Sequence, residues 1–230
     1  WTDNFSTEIG VSYKDVSSDS INNSTLGSVT VDEYYNGPGY QFGTDVFRHA
    51  NASETQNFIL SFDATYLLDE HEIAFGAQYE RLRLYNLFAQ NSLGSWEFDS
   101  IEDFGNQQLG YYWRDGYDFS YDNAYTNDSN DTAYDAVRSQ ISLYVEDTFY
   151  LTDDVEITAG VRYERLSSDD KPMLNEAFQE TYGFTNQENL DGIDIILPRI
   201  NLTWLATEDL TVRAGVGRFQ GGIPNVWYNN

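Results

Sequence analysis

Hydrophobic and polar residues alternate through Gln140 to Glu164, in two runs separated by the polar segment Thr152-Asp153-Asp154. Successive side chains of a β-strand point to opposite sides of the pleat, so this period of two predicts two strands. Threonine and aspartate favour tight turns, and the two strands are therefore expected to form a hairpin with one apolar and one polar face. On the apolar face lie Ile141, Leu143, Val145, Phe149, Val155, Ile157, Ala159, Val161 and Tyr163.

The same alternation predicts five more strands, which gives about seven in total. They are Asn4 to Lys14, Glu54 to Leu68, Ile73 to Glu80, Arg199 to Trp204 and Leu210 to Gly217. An acidic short turn leads into an alternating strand three times, in LLDEHEIAFGAQYE, LTDDVEITAGVRYE and ATEDLTVRAGVGRF. This weak internal repeat indicates repeated hairpins.

Long polar connections separate the hairpins, and they are expected to be largely irregular. The longest runs from about Asn86 to Ala136, while Ser28 to Val31 is a candidate short strand and Leu174 to Thr181 a candidate helical turn. Short turns and long connections alternate along the chain. In an up-and-down meander this order places every short turn at one end of the sheet and every long connection at the other.

A soluble sandwich or barrel would show the same alternation with its apolar face inside. Three features favour a membrane barrel instead: strands longer than the usual ~5–6 residues, polar faces suited to a watery lumen, and the segregation of short turns from long loops. Aromatic residues near the strand ends also match an interfacial girdle. These residues are Tyr66, Phe149, Tyr150 and Trp204.

Asp147 does not fit this pattern, because it falls on the apolar face of its strand. Two explanations are open from the sequence. Its position close to the turn would put it at headgroup level, where a charge costs little. Alternatively, a β-bulge would rotate it to the polar face.

Composition narrows the function further. The chain of 230 residues has a formal net charge of -26, which argues against nucleic acid as a partner because phosphates would be repelled. Aromatic residues make up 16% of the chain, which argues against general disorder. There is no cysteine, so neither a disulfide framework nor a thiolate metal site can form.

Several segments resemble TonB-dependent outer-membrane receptors. LYVEDTFYLTDDVEITAGVRYE is similar to the recurrent barrel hairpin of that family. YNLFAQNSLGSWEFDSIEDF, YGFTNQENLDGIDIILPRINLTW and TVRAGVGRFQGGIPNVWYNN resemble its Oar-like branch, whose members carry a carboxypeptidase-regulatory-like domain. The resemblance covers roughly Glu54 to Asn230.

The resemblance implies an all-β fold: an antiparallel up-and-down transmembrane β-barrel, here a partial wall of about seven long strands with long extracellular loops. Residues 1–230 would be part of one outer-membrane barrel domain, without the plug and amino-terminal domains. The parent would lie in the bacterial outer membrane, contact its lipid and engage the TonB complex through the missing plug. It would take up, or in some relatives export, a large or scarce unknown ligand.

Two alternatives remain open. One is an outer-membrane porin or surface adhesion protein whose acidic aromatic loops bind a partner or calcium. The other is a secreted β-sandwich enzyme, which would need a convergent acid pair in a cleft. Adjacent carboxylates such as Asp153-Asp154 are typical of turns, and the two histidines, His49 and His71, have no Ser-His-Asp context. We therefore expect no enzyme and no cofactor other than a possible calcium ion.

Candidate ligand-binding residues are the loop aromatics, which could stack on a sugar or peptide or could pack the loop itself. They are Trp96, Tyr111, Tyr112, Trp113, Tyr117 and Tyr121. Weak calcium candidates are Asp122, Asp128, Asp131 and Asp135, which supply oxygen ligands without EF-hand spacing. In the strands, Arg162, Glu164 and Glu146 are expected to face the lumen and to pair.

Overall fold

A computed structural model describes residues 1–22, 24–32, 39–112, 116–117, 119–124, 126–172 and 174–221. For residues 111, 112, 116 and 117 it describes the backbone alone. Within these ranges, none of the helices has the length and apolar character needed to cross a membrane.

Strands dominate the described chain. They are β1 (Phe5–Asp19), β2 (Ser28–Val31), β3 (Tyr40–Phe42), β4 (Ala50–Leu68), β5 (His71–Ala89), β6 (Ser95–Phe98), β7 (Tyr111–Tyr112), β8 (Gly116–Tyr117), β9 (Phe119–Ser120), β10 (Tyr134–Thr152), β11 (Val155–Ser168), β12 (Asp194–Thr207) and β13 (Leu210–Gly217). The helices are α1 (Ile101–Gly105) and α2 (Glu176–Tyr182), with single 3-10 turns at Val46–Arg48 and Ser129–Thr132.

The seven long strands form one sheet in the order β1-β4-β5-β10-β11-β12-β13. The predicted set of about seven strands is therefore confirmed. Two-residue turns join β4 to β5, β10 to β11 and β12 to β13, at Asp69–Glu70, Asp153–Asp154 and Glu208–Asp209. A fourth such turn, Asp3–Asn4, precedes β1 and is closed by the Thr2–Phe5 bridge. Because sequential strands pair antiparallel, these turns share one end of the sheet.

The register between strands sorts the side chains onto two faces. Glu146 lies opposite Gly160, which in turn lies opposite Arg199, while Val145 lies opposite Val161 on the other side of the pleat. The apolar face is the exposed one: Ile141 and Leu143 are each 49% accessible, whereas Ser142 between them is 2% accessible. This is the reverse of a soluble β domain, where the apolar face would be covered.

The described chain forms two compact units. The first contains Trp1–Asp15, Gln56–Arg83 and residues 136–221, and the second contains Val16–Thr55 and Leu84–Asp135. The second unit corresponds largely to the long connections, which were expected to be irregular. That expectation is wrong in part, because these connections form a four-stranded sheet in the order β3-β2-β6-β9. The short strand at Ser28–Val31 and the helix near residues 174–181 were expected and are confirmed as β2 and α2.

Local chemistry explains why the second unit is ordered. β2 pairs parallel with β6, and Phe104 of α1 makes edge-to-face contacts with Phe42 and Phe98 at 5.5 and 5.2 Å between ring centroids. Ser100 caps α1 by accepting a bond from the Asp103 backbone N–H. Short strands with few residues each are thus held by an aromatic cluster.

Asp147 lies on the apolar face, as the alternation indicated. The register of β10 with β11 is continuous from Arg138 to Tyr150, and the irregularity comes only between Tyr150 and Thr152. A bulge that turns Asp147 to the polar face is therefore wrong. Instead, His71 at the start of β5 places Nδ1 2.8 Å from Asp147 Oδ2 and stacks its ring on Phe149 at 4.6 Å.

We expect His71→Ala to lower the free energy of unfolding by about 0.5–1 kcal/mol, because the side chains of this pair are 39% and 40% exposed and such pairs contribute modestly. The double variant His71→Ala/Asp147→Ala removes both polar groups and should recover most of that loss. Urea titration of the folded protein in detergent measures both values. A double variant as unstable as the sum of the two single variants would contradict the pairing.

Candidate functional site

Charged and polar side chains of the large sheet are paired across its polar face. Arg162 Nε donates to Glu164 Oε1 at 2.6 Å, and Arg162 Nη2 reaches Gln78 Oε1 on β5 at 3.5 Å. Thr148 and Thr158, directly opposite each other on β10 and β11, place their hydroxyl oxygens 3.3 Å apart. Together these contacts connect three strands through side chains as well as through the backbone.

An ion pair crosses one strand on this face. Glu146 of β10 accepts from Arg199 of β12, with Oε2 2.7 Å from Nε and 2.6 Å from Nη2. The residue between them on β11 is Gly160, where an added Cβ would lie 3.0 Å from the Glu146 Cβ and 3.2 Å from its Oε2. The absence of a side chain at Gly160 leaves the space through which Glu146 reaches Arg199.

A second crossing repeats this arrangement. Tyr144 of β10 donates its hydroxyl to Asp63 Oδ1 of β4 at 2.6 Å, although β5 lies between the two strands. The glycine underneath is Gly76 of β5, where a Cβ would come within 2.6 Å of the Tyr144 ring. In both crossings a long polar side chain lies flat over a glycine.

Glycines occur at one level of the polar face in all four strands that leave a short turn. Each lies six residues beyond the second turn residue, and at each an added Cβ would come within 3.0 Å of a polar side chain of a neighbouring strand. We call them the glycine row: Gly10, Gly76, Gly160 and Gly215. The neighbouring side chains are Ser61, Tyr144, Glu146 and Asn201. The row therefore gives polar side chains room to lie across the sheet.

The predicted pairing is confirmed for Arg162 and Glu164 and wrong for Glu146. Arg162 pairs with Glu164, but Glu146 pairs with Arg199. Sequence reasoning did not single out Arg199, nor Tyr144 and Asp63. The alternation does predict that Arg199, Tyr144 and Asp63 lie on the polar face. Their partners could not be predicted, because long connections separate the strands and the sequence does not indicate the register between them.

The predicted aromatic ligand site lies only partly within the described residues. Trp113 lies outside them, and the side chains of Tyr111, Tyr112 and Tyr117 are likewise not described. Trp96 packs at 5.4 Å from Phe119, and added Cβ atoms at Gly27 and Gly94 would collide with its ring. Tyr121 donates to Asn127 Oδ1 at 3.1 Å. These two side chains pack within the loop, and ligand binding by the aromatic set stays a prediction.

Two of the four calcium candidates take part in local loop bonds. Asp128 caps the 3-10 turn by accepting from the Asn130 N–H at 3.0 Å, and Asp131 accepts from the Thr126 hydroxyl at 2.5 Å. Among the residues that the structure describes, no group of three or more His, Cys, Asp or Glu side chains could hold a metal ion. Calcium binding through Asp122, Asp128, Asp131 and Asp135 stays a prediction.

The fold and the polar face together define a class of protein. An antiparallel meander with an exposed apolar face, a polar face paired across strands and two-residue turns at one end is the wall of a transmembrane β-barrel. The chain belongs to the family described as TonB dependent receptor-like, beta-barrel, whose model matches residues 1–229. Barrels of that family lie in the bacterial outer membrane and serve as receptors and transporters.

One solved structure that resembles the chain is titled "Copper transporter OprC". The identity is 13% and the TM-score 0.46, and the match covers 94% of this chain. It covers 27% of that protein, so the chain spans about a quarter of the transporter's length. No curated protein matches the sequence.

We expect Gly160→Val to destabilise the sheet by about 1–3 kcal/mol, because the added methyl groups overlap Glu146 and displace it from Arg199. The matched control is Ala159→Val on the same strand, whose side chain points to the apolar face. Urea unfolding in detergent measures both. Equal losses in the two variants would show that the crossing over Gly160 contributes nothing of its own.

Proposed function

We propose that the chain forms part of the barrel wall of a TonB-dependent outer-membrane transporter. The exposed apolar face of the large sheet supports this proposal most strongly, because it needs a lipid surface to cover it. Burial of apolar side chains stabilises by roughly 25 cal/mol per Å². Leaving whole rows of Ile, Leu and Val in water would forgo that stabilisation. Family membership independently supports the same function.

In this proposal the polar face lines the lumen, and the long connections of the second unit lie outside the cell. The short turns then face the periplasm. The His71, Asp147 and Phe149 group lies beside those turns, where a polar pair on the lipid side costs least. The paired charges of the polar face remain in water. They therefore avoid the free-energy cost of transfer into lipid, and a charge there does not require a partner of opposite sign.

We further propose the Oar-like branch and import, or in some relatives export, of a large or scarce ligand. The segments NLDGIDIILPRINL and GRFQGGIPNVWYNN carry this assignment. The energy source would be the TonB complex acting through a plug domain. Sequencing the gene upstream of Trp1 tests the branch: a plug preceded by a carboxypeptidase-regulatory-like domain is expected, and a simple porin or adhesin would have neither.

Site-directed labelling tests the orientation of the wall, and the chain suits it because it contains no cysteine. In the natural polypeptide that carries this chain, freed of any other cysteine, Ile200→Cys and Asn201→Cys place a thiol on opposite faces of β12. After reconstitution in vesicles, a fluorophore at position 200 should be quenched by lipid-borne nitroxide and one at position 201 by aqueous iodide. The opposite result, or aqueous quenching at both positions, would sink the membrane assignment.

A further inference from the structure

A pocket of about 360 Å³ lies on the polar face of the first unit. Its floor is formed by side chains of β10, β11 and β12, and the segment 218–221 after β13 forms one wall. Four arginines line it: Arg138, Arg162, Arg199 and Arg218. The volume is within the range of small-molecule sites, which is about 300–1,000 Å³.

This cluster of positive charge contrasts with the strongly negative net charge of the chain. The sequence contains 38 aspartates and glutamates against 12 lysines and arginines, yet the described residues that line the pocket include four arginines and one carboxylate, Glu164. Average composition would produce an acidic pocket. The long-range field of the acidic chain is screened within ~8 Å at physiological ionic strength, so the local arginines govern what binds.

The four arginines differ in how far they are already paired. Arg162 is paired with Glu164 and Arg199 with Glu146. Within the described residues, Arg138 has no carboxylate in ion-pair distance, and Arg218 makes one long bond, from Nη1 to the Ile196 carbonyl at 3.4 Å. Two guanidinium groups thus face the pocket with most of their donors free. A guanidinium presents five donors in a planar fork that matches a carboxylate or a phosphate.

Two further features make room for a ligand and give it an apolar contact. Arg199 lies opposite Gly160 on β11 and Gly217 on β13, and neither glycine has a side chain to crowd it. Phe219 lies over Gly217, where an added Cβ would be 3.1 Å from the ring, and it is 76% exposed. An organic part of a ligand can therefore pack on Phe219 while its charged group reaches the arginines.

We propose that this pocket binds a small organic anion through its carboxylate or phosphate groups, with Arg138 contacting one end of the ligand, Arg218 the other, and Phe219 as the apolar wall. Arg162 and Arg199 contribute further donors while keeping their own carboxylates. The pocket begins at the level of Gly160, opposite which Arg199 lies, and extends away from the short turns, because Arg162 and Glu164 follow Gly160 along β11. The inference needs the folded wall but not transport, so its failure leaves the proposed function intact.

Calorimetric titration of the natural polypeptide that carries this chain, folded in detergent, tests the site with citrate and with phenyl phosphate as probes. We expect saturable binding of at least one probe, weakened about ten-fold or more by Arg138→Gln, since the substitution removes a charge-assisted hydrogen bond. The two probes distinguish a carboxylate-selective from a phosphate-selective site.

The matched control is Arg213→Gln. It also removes one arginine charge from the polar face of the sheet, but on β13 and outside the pocket. It should change the dissociation constant less than about two-fold, as expected of a screened distant charge. Heat-modifiable gel mobility shows whether each variant is folded. Absence of saturable binding by either probe would overturn the proposal. So would equal weakening by the two variants, which would indicate attraction by net charge alone.

Discussion

Two-residue periodicity is the constraint on which the rest of this structure depends. Each strand of the large sheet must present alternate residues to opposite environments, and every residue pairs with neighbours that face the same way. A shift of β11 by one residue against its neighbours would move Val161 among the charges of the polar face and Arg162 among the exposed apolar side chains. Registers are therefore fixed strongly, and the ion pair between Glu146 and Arg199 follows from them.

The glycine row modifies that constraint. A side chain in a sheet normally meets only its direct and diagonal neighbours on adjacent strands. By removing the Cβ at Gly76 and Gly160, the sequence allows Tyr144 and Glu146 to reach partners two strands away. Glycine in a strand interior costs conformational entropy and side-chain packing. Here that cost is offset by side-chain bonds that connect three strands.

The strands and their faces could be predicted from sequence because the signal is local: the alternation and the turn residues of one hairpin belong to a single continuous stretch of chain. The bonds of Arg199 and Tyr144 could not, since each depends on strands joined by a long connection. The small sheet of the second unit was missed for a related reason. β2 and β6 are four residues each, pair parallel and lie far apart in the sequence, so neither alternation nor a tight turn indicates their pairing.

The same reasoning explains why the arginine pocket was not visible in the sequence. Arg138, Arg199 and Arg218 are each isolated among polar or apolar neighbours, and the chain's net charge of -26 directs attention to its acids. The register alone does not indicate their proximity, because Arg138 lies opposite Ser168 and Arg199 opposite Gly160, well apart along β11. The arginines are related only by lining the same pocket of the folded sheet. In a chain with so many carboxylates, a group of arginines on one face of the sheet is unexpected and calls for a physical explanation. Pairing accounts for Arg162 and Arg199, and an anionic ligand accounts for Arg138 and Arg218.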